Sequence, residues 1–191
     1  WTTVLSSTTK SLKPFNFILS RKVPLVETEK QLLTAILNGN QQAMRQLYER
    51  YCGYAMTVAL RYIPDRDAVQ DVLQDSFVKA FSAIQRFKYR GEGSLKAWLM
   101  RIVANQSLTY LRENQRLQVT NDLIDVPDNE HEDEVDTRQL PIDVLLKMIQ
   151  QLPDGYRTVF NLFVFEQKSH QEIAHTLGIK ENSSASQFFR A

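Results

Sequence analysis

Residues 169–179 decide the fold of the C-terminal part and read Ser169-His170-Gln171-Glu172-Ile173-Ala174-His175-Thr176-Leu177-Gly178-Ile179. Ser169 and Glu172 have the spacing of a capping box, in which each side chain accepts a backbone N–H at the start of a helix. Ala174 is small enough for two helices to cross closely, and Gly178 suits the sharp turn that follows. The stretch therefore predicts a helix-turn-helix from Ser169 to Ala191.

The second helix of this motif is polar and carries little charge. Such side chains can reach phosphates and base edges in the major groove of DNA. The predicted DNA contacts are Ser183, Ser184, Ser186, Gln187 and Arg190. Packing alone does not explain so polar a face, so we interpret the motif as a DNA reader, with a plain helical hairpin as the alternative.

Outward from this motif the apolar residues recur at helical spacings, and no run alternates as a strand would. Four amphipathic helices are predicted between Glu29 and Arg116, the first ending at Gly39 and the later ones capped by Asn40 and Ser94. They predict one compact four-helix bundle. Further helices are predicted in residues 140–191, one of them starting at Pro141 and another capped by Asp154. The chain is thus expected to be all-α.

Charge divides the chain into modules, although the total is +1. Residues 29–116 are basic, residues 117–139 strongly acidic and residues 140–191 neutral. The acidic stretch cannot bury enough apolar surface to offset the entropy of ordering it, so it is predicted to be a flexible linker. Residues 1–28 are predicted to be a disordered or spurious leader, with an organelle transit peptide as an alternative.

Several classes of protein are disfavoured. Cys52 is the single cysteine, which suits a reducing cytoplasm, and no apolar run approaches the roughly 20 residues that span a bilayer. The three histidines, His131, His170 and His175, have no metal-ligand spacing, and no catalytic set accompanies them. A cytoplasmic protein without catalytic residues, metal, cofactor or small-molecule substrate is predicted.

A second signal lies between Arg86 and Arg116, where basic residues alternate with aromatic ones. Basic groups hold phosphates, and aromatic rings stack on unpaired bases at about 1–3 kcal/mol per base, so this composition suits melted DNA. Trp98 is either a core residue or a base platform. Asn105 either faces solvent or binds a base.

A third signal is the helical stretch from Asp71 to Phe77. Asp71, Gln74 and Asp75 fall on one face of the predicted helix. The face is either a solvated acidic surface or a docking surface for a partner.

These signals, in this order, resemble an extracytoplasmic-function (ECF) sigma factor of the sigma-70 family. The matching stretches are residues 67–77, 93–105 and 152–160, followed by the helix-turn-helix. The resemblance implies a region 2 bundle at residues 29–116 and a region 4 module at residues 140–191. It implies binding to core RNA polymerase, to promoter DNA and to an anti-sigma factor, with the linker threading into polymerase.

The resemblance also implies roles for residues. Asp71, Gln74 and Asp75 would dock on the clamp helices of the largest polymerase subunit, and region 4 on the flap of the second-largest. The helix-turn-helix would read the -35 element. The residues implied in melting and reading the -10 element are Tyr89, Arg90, Ser94, Trp98, Arg101, Asn105 and Arg112.

The sequence departs from the family pattern at Asn182 and Ala185, where glycine and a basic residue are common, so phosphate contacts there would be fewer. The family helix usually continues beyond Ala191, which indicates a truncated region 4. Two alternatives stay open: a plain helix-turn-helix regulator, and a degenerate sigma-like protein that acts by protein interaction.

Overall fold

The structure, a computed structural model, describes residues 28–114 and 141–191. These residues form α-helices and one short 3-10 helix at Ile84–Arg86, with no strand among them. The predicted leader and acidic linker lie outside them. The helices are α1 (Glu29–Leu37), α2 (Gln41–Tyr62), α3 (Arg66–Ala83), α4 (Ser94–Glu113), α5 (Ile142–Gln151), α6 (Asp154–Val164), α7 (His170–Leu177) and α8 (Glu181–Phe189).

Helices α1 to α4 form the predicted bundle, in which α2, α3 and α4 pack against one another and α1 packs on α2. The fully buried Ala55 and Ala59 let the neighbours of α2 approach closely. Ser76 on α3 and Ser107 on α4 are also fully buried. Each hydroxyl donates to the carbonyl four residues earlier, at 2.6 and 2.9 Å, so neither adds an unpaired polar group to the core.

The start of α4 differs from its prediction. Ser94 does not cap the helix, because the helix begins at Ser94 and the preceding Gly93 offers no side chain. The Ser94 hydroxyl instead donates to the Gly91 carbonyl at 2.6 Å and accepts the Arg90 N–H at 3.2 Å, which closes the loop before the helix. The predicted cap by Asn40 is confirmed, since its side chain accepts two N–H groups of α2.

Helices α5 to α8 form the C-terminal module. The capping box is confirmed: the Ser169 hydroxyl accepts the Glu172 N–H at 3.2 Å, and the Glu172 carboxylate accepts the Ser169 N–H at 2.8 Å. Gly178 takes the left-handed conformation at φ +72° between α7 and α8. The predicted cap by Asp154 is wrong, because the N-cap position of α6 is Pro153 and Asp154 is the first helical residue.

The two modules are in contact, which the prediction of two modules joined by a flexible linker did not include. The last carbonyls of a helix have no partner within it, and those of α2 accept side-chain N–H groups from α5 and α6. The pairs are Gln150 with Leu60 at 3.0 Å, Asn161 with Arg61 at 2.8 Å and Arg157 with Tyr62 at 3.0 Å. The second module therefore caps the C-terminal end of α2.

Candidate functional site

The first part of the site is the loop at residues 87–93, which joins the 3-10 helix to α4. Gly91 and Gly93 have φ of +124° and +87°, a region that favours glycine, and so let the loop reverse direction. Phe87 at its start packs on Trp98 of α4, with ring centroids 4.9 Å apart. Trp98 is half-buried. One part of this side chain packs in the protein while the remainder stays available to a ligand.

Tyr89 lies in the middle of this loop with its hydroxyl on Glu92. The hydroxyl donates to the Glu92 carboxylate at 3.3 Å. Partial desolvation, followed by the charge of Glu92 and this hydrogen bond, raises the pKa of Tyr89. The hydrogen bond to Glu92 thus orients the Tyr89 ring, which can stack on a base.

One face of α4 carries the other residues predicted to contact the -10 element. Ser94, Trp98, Arg101, Asn105 and Arg112 follow at spacings of four, three, four and seven residues, which keep one face at 3.6 residues per turn. Arg101, Asn105 and Arg112 are exposed and the other two are half-buried. These residues thus form one stripe along α4 that continues from the loop.

The C-terminal end of this stripe contacts the second module. The Arg112 guanidinium donates to the carbonyl of Thr176, near the end of α7. Arg112 is therefore held between the two modules in this arrangement, and it would have to leave Thr176 to contact a phosphate.

The second part of the site is the exposed face of α3. Asp71, Gln74 and Asp75 are exposed on it as predicted, while Phe77 turns into the core. Val78, which the sequence analysis did not single out, lies on the same face and is 61% exposed. Its spacing from Asp71, Gln74 and Asp75 is helical, so the sequence pattern could have placed Val78 on this face as well.

The third part is the helix-turn-helix, and here the structure corrects the predicted face. Ser183, Ser184 and Gln187 are buried, so they do not line the exposed surface of α8. Ser186 and Arg190 are partly exposed. The premise that packing does not explain these polar side chains is therefore wrong for three of the five.

The rotation of α8 has a visible cause. Phe188 packs on Phe163 of α6, with ring centroids 4.3 Å apart, and the Ser184 hydroxyl lies 3.0 Å from Nδ1 of His170. The His170 ring stacks on Phe163 at 4.6 Å. These contacts turn the serine-rich side of α8 inward.

The exposed side of α8 consists of other residues. Asn182, Ala185 and Phe189 are exposed, with Phe189 at 83%. They follow at spacings of three and four residues and form one face together with Ser186. Asn182 and Ala185 are the two departures from the family pattern noted in the sequence.

Within the described ranges, no group of three His, Cys, Asp or Glu side chains is placed to hold a metal ion. None of the helices described is long and apolar enough to cross a membrane.

Comparison with known families decides what this arrangement belongs to. The model for sigma-70 region 2 matches residues 47–117, and the model for sigma-70 region 4 matches residues 142–191. The chain belongs to the sigma-70 family. Its relatives place it among the ECF members, and it is an RNA polymerase sigma factor that functions in promoter recognition.

Similar sigma factors span nearly the whole chain. The ECF RNA polymerase sigma-E factor of Haemophilus influenzae is 28% identical over 176 residues, which cover 86% of this chain and 91% of that protein. The RNA polymerase sigma-H factor of Pseudomonas aeruginosa is 28% identical, with 86% and 90% covered. The solved structure of CnrH in complex with the cytosolic domain of CnrY is 28% identical, covers 84% of this chain and 89% of that one, and gives a TM-score of 0.41.

The predicted family, the all-α fold of two helical modules and the function in transcription initiation are thereby confirmed. The roles of individual residues stay predictions.

Proposed function

We propose that this sigma factor works through three surfaces, one on each of α3, α4 and α8. The α3 face of Asp71, Gln74, Asp75 and Val78 docks on the clamp helices of the largest subunit of core RNA polymerase. The acidic groups fit a basic or polar partner helix, and Val78 adds apolar contact at the C-terminal end of the face. The exposure of these side chains on one side of a helix whose other side is core supports this assignment.

The loop at residues 87–93 and the α4 stripe melt and read the -10 element. Taking a base out of its stack costs a few kcal/mol, and capture by stacking and hydrogen bonding offsets this cost. Tyr89 and the open part of Trp98 supply the stacking surfaces, Asn105 supplies hydrogen bonds to a base edge, and Arg90 and Arg101 hold the phosphates. The continuous stripe on α4 is the observation that carries this proposal.

The exposed face of α8 reads the -35 element, with contacts that differ from those first predicted. Asn182 can form two hydrogen bonds with adenine, and Ala185 and Phe189 can contact thymine methyl groups. Of the five residues first predicted to contact the -35 element, Ser186 and Arg190 remain on this exposed face. Ser183, Ser184 and Gln187 instead hold α8 in its orientation.

This mechanism is strand separation driven by binding energy, and it assigns no covalent step to the chain. The protein is therefore proposed to act as an initiation factor and not as an enzyme, beside polymerase in the cytoplasm. The flap of the second-largest subunit, an anti-sigma factor and the threading of residues 117–139 into polymerase stay predictions from the family resemblance.

A docking variant tests the proposal. The chain should co-purify with core RNA polymerase, and Asp75→Arg should abolish this association, because it places a positive charge on the acidic α3 face. Lys79→Ala is the matched control and should retain polymerase, because Lys79 lies at the edge of this face and bonds to Gln106 of α4 at 2.8 Å. An unmodified chain without affinity for core polymerase would refute the proposed docking.

A further inference from the structure

We propose that Glu29 is a positioning residue for the loop that captures the -10 base, acting through a reciprocal pair of helix caps that it forms with Glu92. The inference rests on the proposed role of residues 87–94 as the -10 reader. It adds a residue that lies outside the stretch matched by the region 2 model, residues 47–117.

The carboxylate of Glu29 caps α4 from a different helix. The first N–H groups of a helix have no partner within it, and Gly93 at the N-cap of α4 has no side chain to offer one. Glu29 accepts the Leu95 N–H at 2.9 Å and the Lys96 N–H at 3.0 Å. A carboxylate at this end of a helix also interacts favourably with the helix dipole.

Glu29 is held firmly in this place. It is 1% exposed, and the Tyr51 hydroxyl donates to its Oε1 atom at 2.7 Å. Burial, followed by this bond to Glu29, raises the pKa of Tyr51, so Tyr51 remains a donor across the range in which proteins are stable. Three donors thus converge on one buried carboxylate, and they fix the point at which α4 begins.

Glu92 returns the interaction from the loop to α1. Its two carboxylate oxygens accept the backbone N–H of Glu29 at 3.1 and 3.2 Å, which caps the start of α1. The same carboxylate accepts the Tyr89 hydroxyl and lies 3.5 Å from the Arg50 guanidinium. Glu29 therefore caps α4, and Glu92 caps α1. Together they hold the C-terminal end of the loop against the start of α1.

The anchors matter because two glycines leave the loop backbone with more accessible conformations than other residues would. Gly91 and Gly93 both have positive φ, and Tyr89 and Arg90, which are proposed to meet the DNA, directly precede them. Tyr89 is oriented by Glu92, and the N–H of Arg90 is held by Ser94, whose place is set by the start of α4. A binding site tolerates displacements of only about half an ångström, so loss of the caps should impair selection of the base.

Glu29→Gln is the direct test, because it keeps the shape of the side chain. The amide retains one acceptor oxygen, but its NH2 group replaces the other and faces an N–H donor of α4. We expect the preference for the correct -10 base to fall roughly tenfold, the factor that corresponds to one lost hydrogen bond to a charged group. Retention on core polymerase should not change, since the α3 face is untouched.

The measurement uses the full chain assembled on core RNA polymerase and a single-stranded DNA pool randomised over the -10 segment. The readout is the enrichment of the preferred base over the other three, after sequencing of the bound pool. Asp65→Ala is the matched control, because Asp65 also accepts two N–H groups, at the start of α3 and away from the loop. A purely structural loss lowers total binding and leaves this ratio unchanged, as we expect for Asp65→Ala.

Glu92→Gln is a second variant, chosen because this side chain is about half exposed and its replacement should not prevent folding. It should lower the enrichment in the same direction. Unchanged enrichment in Glu29→Gln, or in Glu92→Gln if the former does not fold, overturns the proposal. Tyr89→Ala separates failure of the positioning role from failure of the proposed -10 reader. If Tyr89→Ala also leaves the enrichment unchanged, the assignment of the loop as the -10 reader fails as well.

Discussion

Arg157 links the C-terminal module to the bundle, and its removal offers a quantitative test of that contact. The side chain is 2% exposed and donates to the carbonyls of Tyr62 at 3.0 Å, Gln150 at 3.1 Å and Leu152 at 2.7 Å. It also pairs with the Asp154 carboxylate. One guanidinium thus joins the corner between α5 and α6 to the end of α2.

We expect Arg157→Ala to lower the free energy of unfolding by about 3–4 kcal/mol. Breaking a buried ion pair by removing one partner costs about 3–5 kcal/mol, and each buried polar group left unpaired costs about 1–3 kcal/mol. The lower part of these ranges applies because the Asp154 side chain is 32% exposed and regains water. Since a domain is stable by about 5–15 kcal/mol, this loss is a large fraction of the total.

Urea unfolding followed by far-ultraviolet circular dichroism measures this quantity. Gln150→Ala is the control, because the Gln150 side chain makes one bond across the module contact, to the Leu60 carbonyl, and should cost no more than about 1.5 kcal/mol. A loss below about 1 kcal/mol for Arg157→Ala would refute the reasoning, because the four contacts would then contribute no more than a surface interaction.

Three further predictions follow from single residues. Phe189→Ala should weaken binding to the -35 element. Replacing thymine by uracil there should weaken binding by the unmodified chain more than binding by the variant, which keeps only the methyl contact of Ala185; equal loss in both would contradict methyl contact by the Phe189 ring. Tyr62→Phe should leave the free energy of unfolding unchanged or raise it by up to about 1 kcal/mol, since the buried hydroxyl has no hydrogen-bond partner within the described residues. A clear destabilisation would contradict this prediction. The hydrogen bonds from Ser169 lower the pKa of Glu172 below its usual 4.5. The carboxylate therefore stabilises the fold above that pH, and the stabilisation disappears as the pH falls through the lowered value. Glu172→Gln should remove this pH-dependent component from melting temperatures measured over a pH series, and an unchanged series would contradict the prediction.

Much of the fold could be predicted because its signals are local. The capping box, the cap by Asn40 and the turn at Gly178 each depend on residues within a few positions of one another, and helical periodicity shows which side of each helix is apolar. The α3 face was predicted on the same basis, whereas the -10 residues of α4 were predicted from the family resemblance. Cap assignments failed at Ser94 and Asp154 because the helices begin at these residues and not after them. Their side chains instead bond to Gly91 and Arg157, each three residues away.

The sequence by itself therefore determined the helices, several of their ends and the family of this protein, because these depend on neighbouring residues and on ordered motifs. Only the tertiary structure decided which side of α8 faces solvent, since that rotation depends on rings of α6 and α7. It also decided that Glu29 is buried against α4 and that Arg157 reaches the end of α2. Each of these contacts joins residues that are distant in the chain, and periodicity carries no information about which distant residues will meet.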